Sequence, residues 1–257
     1  MKSLILISLI SSVICSGCFL TSNNKINTHV NVSKSDKISA LVVGVSKSPV
    51  YGYCMGADYD THNMKNFLSN FTTNITVLAD EDANIKNFSA GLNHVIKNDL
   101  TIIYYSGHGG SHVFNDNYST NEVDGVDEFL CLYDGGYRDD SIWNIIKKSK
   151  GRVFLIFDCC HSETMFRWQN NVSFNSGIFK AEIMPNLLCW SGCEDDAESY
   201  GSRIGGKFTN LLLSKFNKDY SYEELWNILK SDKTLKRQQT IKETKLGNFD
   251  IKQKSFR

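Results

Sequence analysis

Residues 100–110 read LTIIYYSGHGG and residues 152–163 read RVFLIFDCCHSE. Each is a run of β-branched, aromatic and other apolar residues that stops at a short polar turn. Neither run alternates apolar with polar side chains, so each reads as a strand covered on both faces, as in a parallel sheet. Residues 38–45 and 186–190 share this character, and a weaker strand is expected at 75–79. Helical patterns fall between the strands, at 60–68, 84–97, 140–148, 206–216 and 222–230. In the first of these Met64, Phe67 and Leu68 share one face, with Asp60 placed to cap the start. Ser221 and Glu224 have the spacing of a capping box. Strands alternating with helices imply an α/β fold: an open, mostly parallel sheet with helices on both faces. Ligands of such sheets bind beyond the carboxyl ends of the strands, so chemistry is sought in the residues that follow each strand.

Those residues form a coherent set. His108 lies just past one strand end, and Asp158 and Cys160 lie at the end of another. If the two strands are neighbours, His108 and Cys160 face each other across the rim. A free thiol of pKa about 8.5 is only a few per cent thiolate at neutral pH. An adjacent imidazole raises that fraction and later protonates the leaving amine. The glycines beside His108 let backbone approach a substrate carbonyl, with the Gly109 amide as one oxyanion donor and the Cys160 amide as the other. The constellation suits cysteine-dependent acyl transfer. Zinc is not expected from Cys159, Cys160 and His161, because adjacent ligands on one strand diverge and the spacing matches no tetrahedral pattern. Cys159 is expected on the core side of its strand.

The 257 residues carry 28 basic and 28 acidic side chains, a balance that argues against general nucleic-acid binding. With 41% hydrophobic residues and only 2 prolines, the composition fits one compact globular domain without a long disordered linker. The leader MKSLILISLISSVICSGCFL has a basic start, an apolar centre and a small-residue zone, the pattern of a signal peptide over residues 1–17. Its apolar centre falls short of the about 20 residues a membrane-spanning helix needs. Cys15-Ser16-Gly17-Cys18 resembles a bacterial lipobox, with acylation expected at Cys18, although Cys15 stands where an aliphatic residue is usual. An ordinary cleaved signal or an uncleaved anchor is the other reading. Residues 18–36 read as a polar tether, followed by the domain at 37–257. The expected location is outside the cytoplasm, on a membrane through a lipid anchor only, or secreted. Six cysteines lie beyond the leader, and a chain with such apolar runs does not require them as a disulfide framework.

From about residue 38 to residue 256 the chain resembles the metacaspase and orthocaspase branch of the caspase-like cysteine peptidases. ALVVGV (40–45) and GADYDTHNM (56–64) resemble the family's first strand and helix start. YSGHGG (105–110) resembles the histidine motif, and DCCHSE (158–163) the nucleophile motif with Cys160 as the attacking residue. NEVDGVDEFLCLYD, RDDSIW, SGCEDDAES, GGKFTNLL and RQQTIKETKLGNFDI follow in the family's order. His108 precedes Cys160 by 52 residues, near the ~50 typical of caspases. The resemblance implies a caspase-like fold and an endopeptidase acting on protein or peptide substrates after Arg or Lys. It also places Asp60 and Asp158 in the substrate pocket, where paired carboxylates suit a guanidinium or ammonium group. Taken singly, a helix cap and a turn former are the commoner roles for these two aspartates.

The dyad chemistry needs no cofactor. Many metacaspases require calcium, and the resemblance puts its ligands at Asp127, Asp139 and Asp140, hard oxygens of the right kind. A further family carboxylate is replaced by Arg167, whose guanidinium either neutralises the same acidic cluster without metal or is simply solvated. Glu163 stands where the family usually has glycine, three residues from the nucleophile, and a carboxylate there disfavours a thiolate unless it points to solvent. These departures keep a second reading open, a catalytically silent caspase-fold binding module at a membrane surface. The less patterned stretch from 163 to 185 contains Lys180, a candidate self-cleavage site.

Overall fold

The computed structural model describes residues 37–112, 127–160, 184–192, 201–202, 204–237 and 239–257. The leader, the tether with Cys18, and His161, Glu163, Arg167 and Lys180 lie outside them. In chain order the elements are β1 (Ile38–Gly44), β2 (Lys47–Ser48), β3 (Gly52–Tyr53), α1 (Ala57–Leu68), β4 (Ile75–Ala79), α2 (Ile85–Val95) and β5 (Leu100–Ser106). Next come β6 (Gly109–His112), β7 (Asp127–Cys131), β8 (Gly136–Arg138), α3 (Asp139–Ile146), β9 (Arg152–Asp158) and β10 (Asn186–Ser191). The chain closes with β11 (Gly201–Ser202), β12 (Gly205–Gly206), α4 (Lys207–Lys215), α5 (Tyr222–Ser231), α6 (Lys233–Lys236) and β13 (Lys242–Leu246).

The five expected strands, joined by β13, form one six-stranded sheet in the order β13-β10-β9-β5-β1-β4. All neighbours are parallel except β13, which pairs antiparallel with β10. Because successive strand residues face opposite ways, each continuous run feeds two cores. Leu41, Val43, Ile103, Tyr105, Leu155 and Phe157 pack under α2 and α3 with Phe88, Leu92, Ile142 and Trp143. Ala40, Val42, Ile102, Tyr104, Phe154 and Ile156 pack under α1, α4 and α5 with Met64, Phe208, Leu212 and Leu225. Each buried side chain of this size contributes roughly 1.5–3 kcal/mol, and losing the alternation on any one central strand would strip both layers at once.

Two features depart from the sequence expectation. Asp60 does not cap its helix. Gly56, at φ 94°, turns the chain so that α1 begins at Ala57, and the Asp60 amide already bonds back to the Gly56 carbonyl. Glycine takes that left-handed conformation without the steric cost a side chain would bring. The carboxylate of Asp60 is thereby released from local capping. The sheet also gains β13 and a separate three-stranded ladder of β6, β7 and β8, none of which is visible as an apolar run. The Ser221–Glu224 capping box forms as expected, with both reciprocal bonds present. No helix among the described residues is long and apolar enough to cross a membrane.

Candidate active site

Parallel pairing of β5 with β1 and β9 brings three strand ends level: Gly44 is in register with Ser106, and Ser106 with Asp158. The loops that follow therefore open at one edge of the sheet, where a cleft of about 360 Å³ is lined by Asp60, His108, Asp158 and Cys160 together with Tyr53, Cys54, Met55, Ser106, Gly107 and Gly206. His108, Asp158 and Cys160, expected at the strand ends, and Asp60, which the resemblance adds, thus border a single cavity.

His108 is held from both ends. The buried Tyr105 phenol lies 2.7 Å from the His108 carbonyl and 2.8 Å from the Cys131 carbonyl, with its proton shared between them. The Cys131 amide donates to the same His108 carbonyl at 3.0 Å. On the ring, Nε2 lies 3.2 Å from the carbonyl oxygen of Tyr53. A carbonyl only accepts, so Nε2 is the protonated nitrogen and the Nδ1 lone pair is left to act as base.

Cys160 sits half-buried in the turn after β9, and Cys159 points the other way into the core, fully buried. Gly109 packs against this turn so closely that a Cβ there would stand 2.0 Å from the Cys160 carbonyl oxygen. Gly109 opposes Leu130, and the adjacent ladder bond runs from the Cys131 amide to the His108 carbonyl. That spacing makes Gly109 the non-hydrogen-bonded member of its pair, so its N–H is turned away from β7.

The floor of the cleft is acidic. Asp60, 1% exposed, accepts the Gly206 amide at 2.9 Å on each oxygen and the Ser106 hydroxyl at 2.8 Å. Asp158, 4% exposed, accepts the amide and hydroxyl of Thr209 at 3.0 and 2.7 Å. Gly206 bridges them: a Cβ on it would lie 2.3 Å from Asp158 Oδ2 and 3.0 Å from Asp60 Oδ2. Burial raises the Asp60 carboxyl to about 7 and the negative charge of Asp158 pushes the same way, against the Gly206 and Ser106 donors. None of the described residues lining the cleft is Lys or Arg.

The neighbouring thiols are kept inert. Cys54 is pushed up to about 12 by burial, then by Asp158, Cys160 and Asp60, and Cys131 to about 12 by burial, then by Cys160 and Cys54. The sequence reading missed the Tyr53 carbonyl, the Tyr105 and Ser106 hydroxyls, Gly206 and Thr209. Only position marked Ser106, which immediately precedes the histidine turn. Gly206 and Thr209 fall within GGKFTNLL, a stretch with no chemistry of its own until it folds onto the two carboxylates.

Of the expected calcium ligands, Asp139 and Asp140 have described side chains. Asp139 and Asp140 stand side by side at the start of α3, where the Asp140 amide donates to Asp139 Oδ1 at 2.7 Å. Asp127 begins β7, but its side chain lies outside the described part. Among the described residues no three His, Cys, Asp or Glu side chains are placed to hold a metal ion.

The pattern of the caspase domain matches residues 37–248. Metacaspase-1 of Saccharomyces cerevisiae is 29% identical over 169 residues, covering 58% of this chain and 38% of the yeast protein. Metacaspase-1 of Arabidopsis thaliana is 32% identical over 139 residues, covering 46% and 37%. The matched stretches thus span less than half the length of either relative. Among solved structures, a protein from Geobacter sulfurreducens superposes with a TM-score of 0.67 at 23% identity, over 86% of this chain and 98% of that one. Caspase-1 from Spodoptera frugiperda superposes with a TM-score of 0.55 at 11% identity, over 84% and 88%. These two likenesses concern the fold.

Proposed function

Because the chain belongs to the caspase-domain family, we propose that it is a metacaspase-type cysteine endopeptidase that hydrolyses peptide bonds after Arg or Lys. The observation that carries this reading is the acidic floor. Two buried carboxylates, Asp60 and Asp158, share one cleft with His108 and Cys160. A guanidinium or ammonium group in that floor sets the next carbonyl carbon over the rim.

In the reaction, His108 Nδ1 takes the proton of the Cys160 thiol, and the thiolate attacks the scissile carbonyl carbon. The Gly109 and Cys160 amides donate to the oxyanion. The Tyr53 carbonyl, bonded to Nε2, steadies the imidazolium as it forms. His108 then returns its proton to the departing amine, and a water activated by the same nitrogen releases the acyl group from Cys160. No metal enters these steps. Calcium would act as an activator at Asp127, Asp139 and Asp140, and Arg167 in the place of a family carboxylate favours activity without it.

The test uses peptides with Arg, Lys or Asp before the cleaved bond, the purified protein, and its Cys160→Ala variant. Turnover after Arg and Lys alone, absent from Cys160→Ala, is the expected result. A folded protein that cleaves none of them would instead favour a silent binding module. We further propose export through residues 1–17 and anchoring by a lipid on Cys18. The Cys18→Ser protein should then leave the membrane fraction, and continued membrane association would refute the anchor.

A further inference from the structure

The acidic floor is bordered on one side by exposed apolar surface. Five of the eight large apolar side chains exposed among the described residues stand on segments around the cleft: Val50, Tyr53, Met55, Tyr59 and Ile204. Tyr53 and Met55, 59% and 44% exposed, line the cleft itself. Tyr53 also forms a wall of a second hollow of about 240 Å³, whose other walls include Pro49 and Tyr133. Isolated exposed apolar residues need no explanation, but two that line a polar cleft, one of them also walling a second hollow, do.

The strand order gives this surface a direction. Along the rim β9 carries Cys160, β5 carries His108, and β1 leads into the segment bearing Tyr53 and Met55. His108 stands between the nucleophile and that segment, with Nε2 against the Tyr53 carbonyl. The amine expelled from the carbonyl carbon as the acyl group passes to Cys160 is the one that His108 protonates, so the departing chain lies on the His108 side of the cleft, toward Tyr53 and Met55.

We infer that this surface is a subsite for an apolar or aromatic side chain on the residue immediately after the scissile bond. The inference rests on the peptidase reading for its direction. It makes the preferred substrate a basic residue followed by a bulky apolar one, with the basic group in the acidic floor and the apolar group against Tyr53 and Met55.

The test uses peptides identical except for the residue after a single Arg, which is Phe, Leu, Gly or Asp. Their affinity for the Cys160→Ala protein is read by fluorescence anisotropy, and their turnover by the unmodified protein by mass spectrometry. Phe and Leu peptides should exceed Gly and Asp peptides by about tenfold in both measurements, the usual scale for an open apolar contact. The Tyr53→Ser/Met55→Ser change, made in both backgrounds, should bring that ratio to within about twofold. Both side chains face solvent, so the changes do not threaten the core. Equal binding of all four peptides, or a preference that survives the double substitution, overturns the subsite even if every peptide is cut. Discrimination by Cys160→Ala without turnover by the unmodified protein would leave the subsite standing and remove hydrolysis. Absence of both binding and turnover removes both.

Discussion

Binding of a peptide ending in arginine to the Cys160→Ala protein is expected to release nearly one proton at pH 6 and almost none at pH 8.5. The Asp60 carboxyl stands at about 7, raised first by burial and then by Asp158. At pH 6 it is therefore ~90% protonated, and at pH 8.5 only ~3%, by simple titration. A guanidinium between the two carboxylates favours their charged forms and expels that proton. Linkage then sets the sign: affinity rises by about tenfold per pH unit up to pH ~7 and levels off above it. Calorimetry in two buffers of different ionisation enthalpy measures the release directly. The Asp60→Asn protein isolates the group, since it retains a carbonyl oxygen for the Gly206 amide but has no proton to lose. Affinity that is flat from pH 5.5 to 8.5, or release that persists in Asp60→Asn, would refute the reasoning. The same shift weakens the ligand-free fold as pH rises through about 7, because the folded state holds this proton more tightly than the unfolded chain does. Relative to the unmodified protein, Asp60→Asn should gain stability above pH 7, on the order of 1–3 kcal/mol, as read from melting curves at pH 5.5 and 8.5.

Other substitutions test the remaining parts of the site. Gly206→Ala has an ordinary backbone angle, φ −68°, but its Cβ would meet Asp158 Oδ2 at 2.3 Å. Its kcat/KM on Arg peptides should fall by about 10–100-fold, mostly through KM, because binding of the basic group is lost. Tyr105→Phe removes the hydroxyl that ties the His108 turn to Cys131. Its kcat should drop about tenfold with KM nearly unchanged, and its stability by about 1–3 kcal/mol. Brief iodoacetamide treatment at pH 7 followed by peptide mapping should label Cys160 well before Cys54, Cys131 or Cys189, whose thiols are each held near 12. Millimolar calcium should change turnover less than about twofold if Arg167 neutralises its cluster, and strict dependence on the metal would refute that role.

Legibility from sequence followed the range of the interaction involved. A central parallel strand must be apolar on both faces, so β1, β5, β9 and β10 announced themselves as continuous runs. Residues at the ends of such strands are confined to one edge by sheet geometry, which is why the sequence places His108, Asp158 and Cys160 at a common rim. β13 was not found because an edge strand, KETKL, satisfies its backbone on one side only and keeps charged side chains. β12 was not found because two glycines carry no pattern.

Sequence by itself determined the central strands, their burial on both faces and the identity of the residues at the strand ends, since hydrophobic patterning is a property of short stretches. Tertiary structure alone decided what those residues do for one another. Gly56 frees Asp60 from its helix start, and Gly206, 146 residues away, donates to that carboxylate. The Tyr53 carbonyl, 55 residues before His108, selects the ring nitrogen that is left as base. Directional hydrogen bonds between groups so far apart in the chain leave no periodic trace, and they exist only once the apolar sheet has brought its loops to a common edge.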